Sequence, residues 1–99
     1  LFQTSDSWYR ALCEELLEAT ARQGCIVELN TRGVYTGKTA EFFPADFILE
    51  SCLRRGIPVM VNSDAHAPEQ LLAMEEEAIE RLRRIGFRQI QTPFAIADI

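Results

Sequence analysis

From Ser7 to Gln23, Trp8, Tyr9, Leu12, Cys13, Leu16 and Leu17 recur at three- and four-residue spacing, which predicts one apolar stripe on an α-helix. Asp6 or Ser7 can supply an N-cap oxygen, and Gly24 suits the left-handed position after the last turn. Cys25–Asn30 is short, apolar on both faces and β-branched, as a strand of a covered parallel sheet should be; Glu28 is the exception inside it. Thr31 to Phe43 reads as a loop with Gly33 and Gly37, and loops of this length in compact domains are often functional. Pro44 opens a second helix, with Asp46 at its positive end, Arg54 and Arg55 at its negative end, and Gly56 to stop it. Ile57–Asn62 is a second short apolar strand, with Pro58 near its start.

Ser63–Ala67 is a polar turn, and Pro68 starts a third helix that runs to about Arg84. Leu71, Met74, Ala78, Leu82 and Ile85 line its buried face. Glu77–Arg81 and Glu80–Arg84 are i,i+4 pairs in the favourable order, so the charge run is a solvated face. Gly86 ends the helix, Phe87–Gln91 suggests a last strand, and the tail to Ile99 shows little pattern. The order α-β-α-β-α-β predicts an α/β fold with parallel strands joined by right-handed crossovers. Periodicity leaves two architectures open: a small open α/β domain, or the last third of a larger (β/α) barrel.

Composition narrows the class. At 47% hydrophobic and 25% charged residues the chain is ordinary globular material, and its 99 residues fit one domain or part of one. A net charge of -5 and a pI near 4.8 argue against a nucleic-acid partner held by a basic surface. No apolar run approaches the length of a bilayer span. The start, from Leu1 to Asp6, lacks the basic and apolar regions of a signal peptide, and it also lacks an initiator Met, which suggests that something upstream was removed. Cys13, Cys25 and Cys52 are odd in number, form no CxxC pair and lie in apolar stretches; they read as reduced core residues of a cytoplasmic protein.

Ligands bind at the carboxyl ends of strands in parallel α/β architectures. The first strand delivers Glu28, Asn30, Thr31, Arg32 and Gly33 to that edge, and the second delivers Asn62, Ser63, Asp64 and His66. The opposite edge offers only Gly24, Gly56 and Gly86. Asp64 and His66 form a DxH pair whose carboxylate and imidazole suit Zn, Mn or Fe. In isolation such a pair is a turn residue beside a surface histidine; its place between a buried strand and a helix start favours a site. Arg32 is the strongest anion candidate, since a guanidinium can hold a phosphate bidentately. Asn30 and Ser63 are candidates for substrate hydrogen bonds, and Lys38 reads as a solvated loop cation. Glu28 either pairs with a metal-site residue or faces outward at the sheet edge.

These residues carry a resemblance. Val27-Glu28-Leu29-Asn30-Thr31-Arg32-Gly33-Val34-Tyr35, Phe43-Pro44 before a helix, Val61-Asn62-Ser63-Asp64-Ala65-His66-Ala67-Pro68-Glu69 and Ile85-Gly86-Phe87 resemble the C-terminal third of a PHP-family histidinol phosphatase, from about Tyr9 to Ile90. The resemblance implies that residues 1–99 are a C-terminal piece of a distorted (β/α)7 barrel with two or three divalent metals (Zn, Mn or Fe) at its C-terminal face. It implies hydrolysis of histidinol phosphate to histidinol and phosphate, in histidine biosynthesis. Asp64 and His66 match the last metal-ligand motif, and Arg32 a basic position near the substrate phosphate. The family's other ligands, including an HxH near the N-terminus, have no counterpart here, where His66 is the single histidine.

The resemblance therefore implies a chain inactive by itself, whose partners are a small phosphorylated metabolite and the missing N-terminal part of the barrel, with no nucleic acid and no membrane. Two alternatives stand beside it. One is another PHP phosphoesterase, acting on a different phosphorylated metabolite or a nucleotide. The other is a small α/β association module without activity. An oligomer formed through the exposed sheet edge would be a non-native consequence of truncation.

Overall fold

The computed structural model describes residues 6–99. Helix α1 spans Ser7–Gln23, strand β1 Val27–Asn30, the single turn α2 Arg32–Tyr35, helix α3 Asp46–Arg55 and strand β2 Val59–Asn62. A 3₁₀ turn at Pro68–Gln70, helix α4 at Glu75–Ile85, and strands β3 (Gln89–Gln91) and β4 (Ile96–Asp98) complete the chain. It is a mixed α/β arrangement. β1 and β2 pair in parallel, with Val27 opposite Val59 and Asn30 opposite Asn62.

The core draws on α1, α3, α4 and the first three strands. Leu29 and Val59 come from the strands, Leu49 and Cys52 from α3, Ala78 and Leu82 from α4, and Leu17 from α1, with Ile57, Phe87 and Ile90 closing its end. Gly24 and Gly56, both left-handed with φ 69°, terminate α1 and α3 as their positions predict. In β1 the pleat alternates: Leu29 is fully buried and Glu28 faces out, so the strand is not covered on both faces.

The α1 stripe divides in two. Leu17 is buried, and Tyr9 meets the Phe47 ring of α3 edge-on at 6.2 Å. Trp8, Leu12 and Leu16 stay exposed, at 57%, 46% and 60%, because α1 rests on α3 along only one side of the stripe. A polar clasp completes that contact: Ser51 donates its hydroxyl to the Glu14 carboxylate, and Arg54 and Arg55 approach the same carboxylate. Of the cysteines only Cys52 is a core residue; Cys13 is half-buried and Cys25 is exposed, contrary to expectation.

The remaining departures have local causes. Pro44 lies ahead of α3, with Ala45 as N-cap, and the Phe43–Pro44 peptide is cis. The loop expected over 31–43 contains the α2 turn, and it comes back to β1 through Asn30 N–H to Phe43 O at 2.7 Å. The continuous helix expected from Pro68 is broken at 71–74. Ser63 Oγ donates to Leu71 O at 3.0 Å and Thr31 Oγ1 to Ala73 O at 2.9 Å. Two carbonyls that would accept from the next helical turn are thus claimed by the strand ends, and Met74 turns left-handed (φ 61°) before α4 starts. Leu71 is consequently exposed instead of facing the core. Arg81 reaches Asp46 of α3 at 2.8 Å in place of Glu77, while Glu80 keeps Arg84 at 3.9 Å.

The last strand is not parallel. β3 pairs antiparallel with β4, Ile90 opposite Ala97. The turn between them is closed by Thr92, whose amide and hydroxyl both donate to Ala95 O at 2.8 Å. No helix of the described residues is long and apolar enough to cross a membrane.

Leu82→Ala should cost about 2–5 kcal/mol, the usual loss for a buried leucine, read as a lowered urea midpoint at unchanged slope. The Ser51 hydrogen bond, opposed by burial and supported by the nearby Arg55 and Arg54, holds the Glu14 carboxyl below its ordinary range. A folded-state value below the unfolded one means that Glu14 contributes stability above the ordinary carboxylate range. That contribution is lost as pH falls through the lower folded value. Glu14→Gln should flatten the acid limb of the stability–pH curve, and an unchanged limb would exclude this role.

Candidate functional site

The carboxyl ends of β1 and β2 form one edge because the register sets Asn30 beside Asn62. Glu28 lies between them. Its carboxylate accepts from Asn62 Nδ2 and, at 3.4 Å, from Asn30 Nδ2. Each asparagine then uses its amide oxygen on the backbone two residues ahead: Asn30 Oδ1 accepts from Arg32 N–H at 2.8 Å and Asn62 Oδ1 from Asp64 N–H at 3.0 Å. These are Asx turns, in which the side chain supplies the acceptor a tight turn needs. Asp64 is left-handed (φ 49°), a conformation aspartate tolerates better than most residues. Glu28 thus faces outward and does not touch Asp64 or His66 in any hydrogen bond or ion pair; it braces both turns that carry the candidate residues.

Arg32 stands at the start of α2 and points its Nη1 across to the second turn. It lies 3.2 Å from Tyr35 Oη, 3.2 Å from the Asp64 carbonyl and 3.3 Å from Gln70 Oε1. Tyr35 in turn donates its hydroxyl to Ser63 O at 2.7 Å. The first loop, the Ser63–Asp64 turn and the 3₁₀ turn at Pro68–Gln70 are therefore tied together by one guanidinium. Gly33 lets α2 sit close to the rest of the loop, since a Cβ there would strike the Thr39 side chain. Lys38 is exposed.

Asp64 and His66 are both exposed on this edge. His66 Nδ1 lies 2.8 Å from the Asp64 carbonyl oxygen, and His66 N–H donates to Gln70 Oε1 at 3.0 Å. The Asp64 carboxylate makes no hydrogen bond among the described residues. Ser63 is turned away, its hydroxyl committed to Leu71 O. Of the sequence candidates the fold brings Asp64, His66, Arg32 and Asn30 to one edge and directs Ser63 to the linker before α4. Tyr35 and Gln70 were not singled out by sequence, because neither stands at a strand end and only tertiary packing brings them in.

As a donor set the edge offers one carboxylate and one imidazole. Among the described residues no group of three or more His, Cys, Asp and Glu side chains is placed to hold a metal ion. A carboxylate and an imidazole are ligand types a divalent cation accepts, and two of them are too few for a catalytic metal site, which takes at least three. Nor is there an obvious thiol nucleophile in the core: burial pushes Cys52 up to about 11, so little thiolate exists near neutral pH.

No protein-family model matches the chain. It is similar to a probable histidinol-phosphatase of Deinococcus radiodurans, 32% identical over 74 residues. The match takes in 75% of this chain but only 28% of that protein's length.

Glu28→Ala should release both asparagines and cost about 1 kcal/mol, the net worth of an ordinary hydrogen bond. Amide exchange should quicken at Arg32 and Asp64 together. Faster exchange at one alone would show that the two turns are braced separately.

Proposed function

We propose that the chain is part of a metal-dependent phosphomonoesterase of the PHP histidinol-phosphatase type, which hydrolyses histidinol phosphate to histidinol and phosphate in histidine biosynthesis. The observation that carries this reading is the meeting of Asp64 and His66 with the Arg32 guanidinium at the carboxyl end of a parallel strand pair. The likeness to the Deinococcus radiodurans protein named as a probable histidinol-phosphatase supports it, and its small share of that protein's length agrees with a partial barrel. Residues 1–99 then form the C-terminal part of a distorted (β/α)7 barrel, in the cytoplasm.

Asp64 and His66 would hold divalent metal (Zn, Mn or Fe, two or three ions) together with ligands from the rest of the barrel. Bound there, such ions neutralise the phosphate and lower the pKa of an attacking water. Arg32 commits Nη1 to the protein, and its Nε and Nη2 donors remain for phosphate oxygens. Asn30 orients Arg32 through its backbone, and Ser63 supports the turn in place of touching substrate. A second substrate class, another phosphorylated metabolite or a nucleotide, fits the same edge, since Arg32 recognises the phosphoryl group and no residue described here selects what the phosphate is attached to.

The test uses the intact enzyme that contains this segment, assayed for phosphate release from histidinol phosphate and from a panel of phosphomonoesters. Asp64→Ala and His66→Ala should each lower bound metal and cut kcat by more than the roughly 10–100-fold that even outer-shell partners of a metal cost. Metal content unchanged in both variants would end the ligand assignment. The 99-residue chain alone should show no turnover; release at ordinary enzymatic rates, about 1–10³ per second, would overturn the partial-barrel reading.

A further inference from the structure

The contact between His66 Nδ1 and the Asp64 carbonyl decides more than ring orientation. A carbonyl oxygen can only accept, so at 2.8 Å the proton must sit on Nδ1. The lone pair of the neutral ring is then on Nε2. The Asp64 carbonyl is itself held by Arg32 Nη1 at 3.2 Å, and the His66 backbone by Gln70 Oε1 at 3.0 Å. Gln70 Oε1 also accepts from Arg32 Nη1 at 3.3 Å. Two acceptors, Asp64 O and Gln70 Oε1, are therefore each shared between Arg32 and His66, which closes a ring of four hydrogen bonds around the histidine. Nη1 has two hydrogens and three neighbours, counting Tyr35 Oη, so its bonds are shared ones and their strength depends on all three staying in place.

We infer that Arg32 and Gln70 are positioning residues that fix the tautomer of His66, presenting Nε2 as the unprotonated nitrogen on the strand edge. Neither sequence pattern nor the resemblance points to Gln70. The inference deepens the reading of His66 as a metal ligand and rests on that reading for its purpose, because a ring nitrogen must be unprotonated to bind a cation. The geometry itself involves only this chain. It also assigns Arg32 two tasks on different atoms: Nη1 sets the histidine, and the outer donors are left for an anion.

His66 is the single histidine of the sequence, so its ring nitrogens can be observed directly in the 15N-labelled chain by long-range proton–nitrogen correlation. The spectrum is recorded above the imidazole titration range, with no metal or substrate present. Relative to a free neutral imidazole, the ring should shift its proton toward Nδ1 by roughly five- to tenfold, about what one ordinary hydrogen bond sustains. Gln70→Leu should abolish most of that shift, returning the ring toward the ratio of a free imidazole, and Arg32→Met should do the same. Gln70→Glu keeps an acceptor for both donors and should preserve the wild-type pattern. Dispersed amide spectra check that each variant folds; where Gln70→Leu does not, Gln70→Asn, a methylene too short to serve both donors, takes its place. A wild-type ring protonated on Nε2 would overturn the inference, as would a tautomer ratio indifferent to loss of Gln70. Failure of the intact enzyme to release phosphate from histidinol phosphate would instead remove the proposed reaction and leave the tautomer result standing.

Discussion

Everything on the strand edge depends on a carboxylate held between two asparagines. Glu28 reaches Asn30 on its own strand and Asn62 on the next, and those two residues face each other because β1 and β2 pair in parallel register. Each asparagine spends its donor on Glu28 and its acceptor on the backbone of the turn it introduces. One anion therefore sets the exit direction of two loops separated by more than thirty residues of chain. Such an arrangement suits a site whose chemistry is divided between loops, because the error in placing one loop relative to the other is limited by two short side chains rather than by two long excursions of backbone.

Much of this was legible in the sequence. The α1 period, the two apolar strands and the glycines that stop α1 and α3 each rest on local rules, and each was found close to its expected bounds. Asp64, His66, Arg32 and Asn30 could be assigned to one edge because parallel strands put their carboxyl ends together. What sequence did not show was competition for backbone carbonyls. The helical period through Leu71 and Met74 is genuine, yet Ser63 and Thr31 take the acceptors that would have continued it. The β3–β4 hairpin escaped for a different reason: three-residue strands carry too little alternation to register.

Arg32 illustrates how tertiary context changes the meaning of a residue. In the sequence it is a candidate anion-binding cation beside glycine. In the fold its Nη1 is an internal donor that bridges three segments, and its side chain is half-buried next to Tyr35. Lys38, a few residues further along the same loop, has the same charge and no comparable partner among the described residues. A lysine is not equivalent to Arg32 here, since its three donors all sit on one nitrogen, whereas the guanidinium spreads its donors over three.

The break at residues 71–74 sets a limit on how this segment can be altered. A straight, uninterrupted helix from Pro68 onward would gain backbone hydrogen bonds and relieve the left-handed Met74. It would also take back the Leu71 and Ala73 carbonyls from Ser63 and Thr31, cutting the strand ends loose from the segment that carries Gln70. Local order and edge assembly draw here on the same acceptors, so substitutions selected only for helix content would improve α4 while dismantling what it supports.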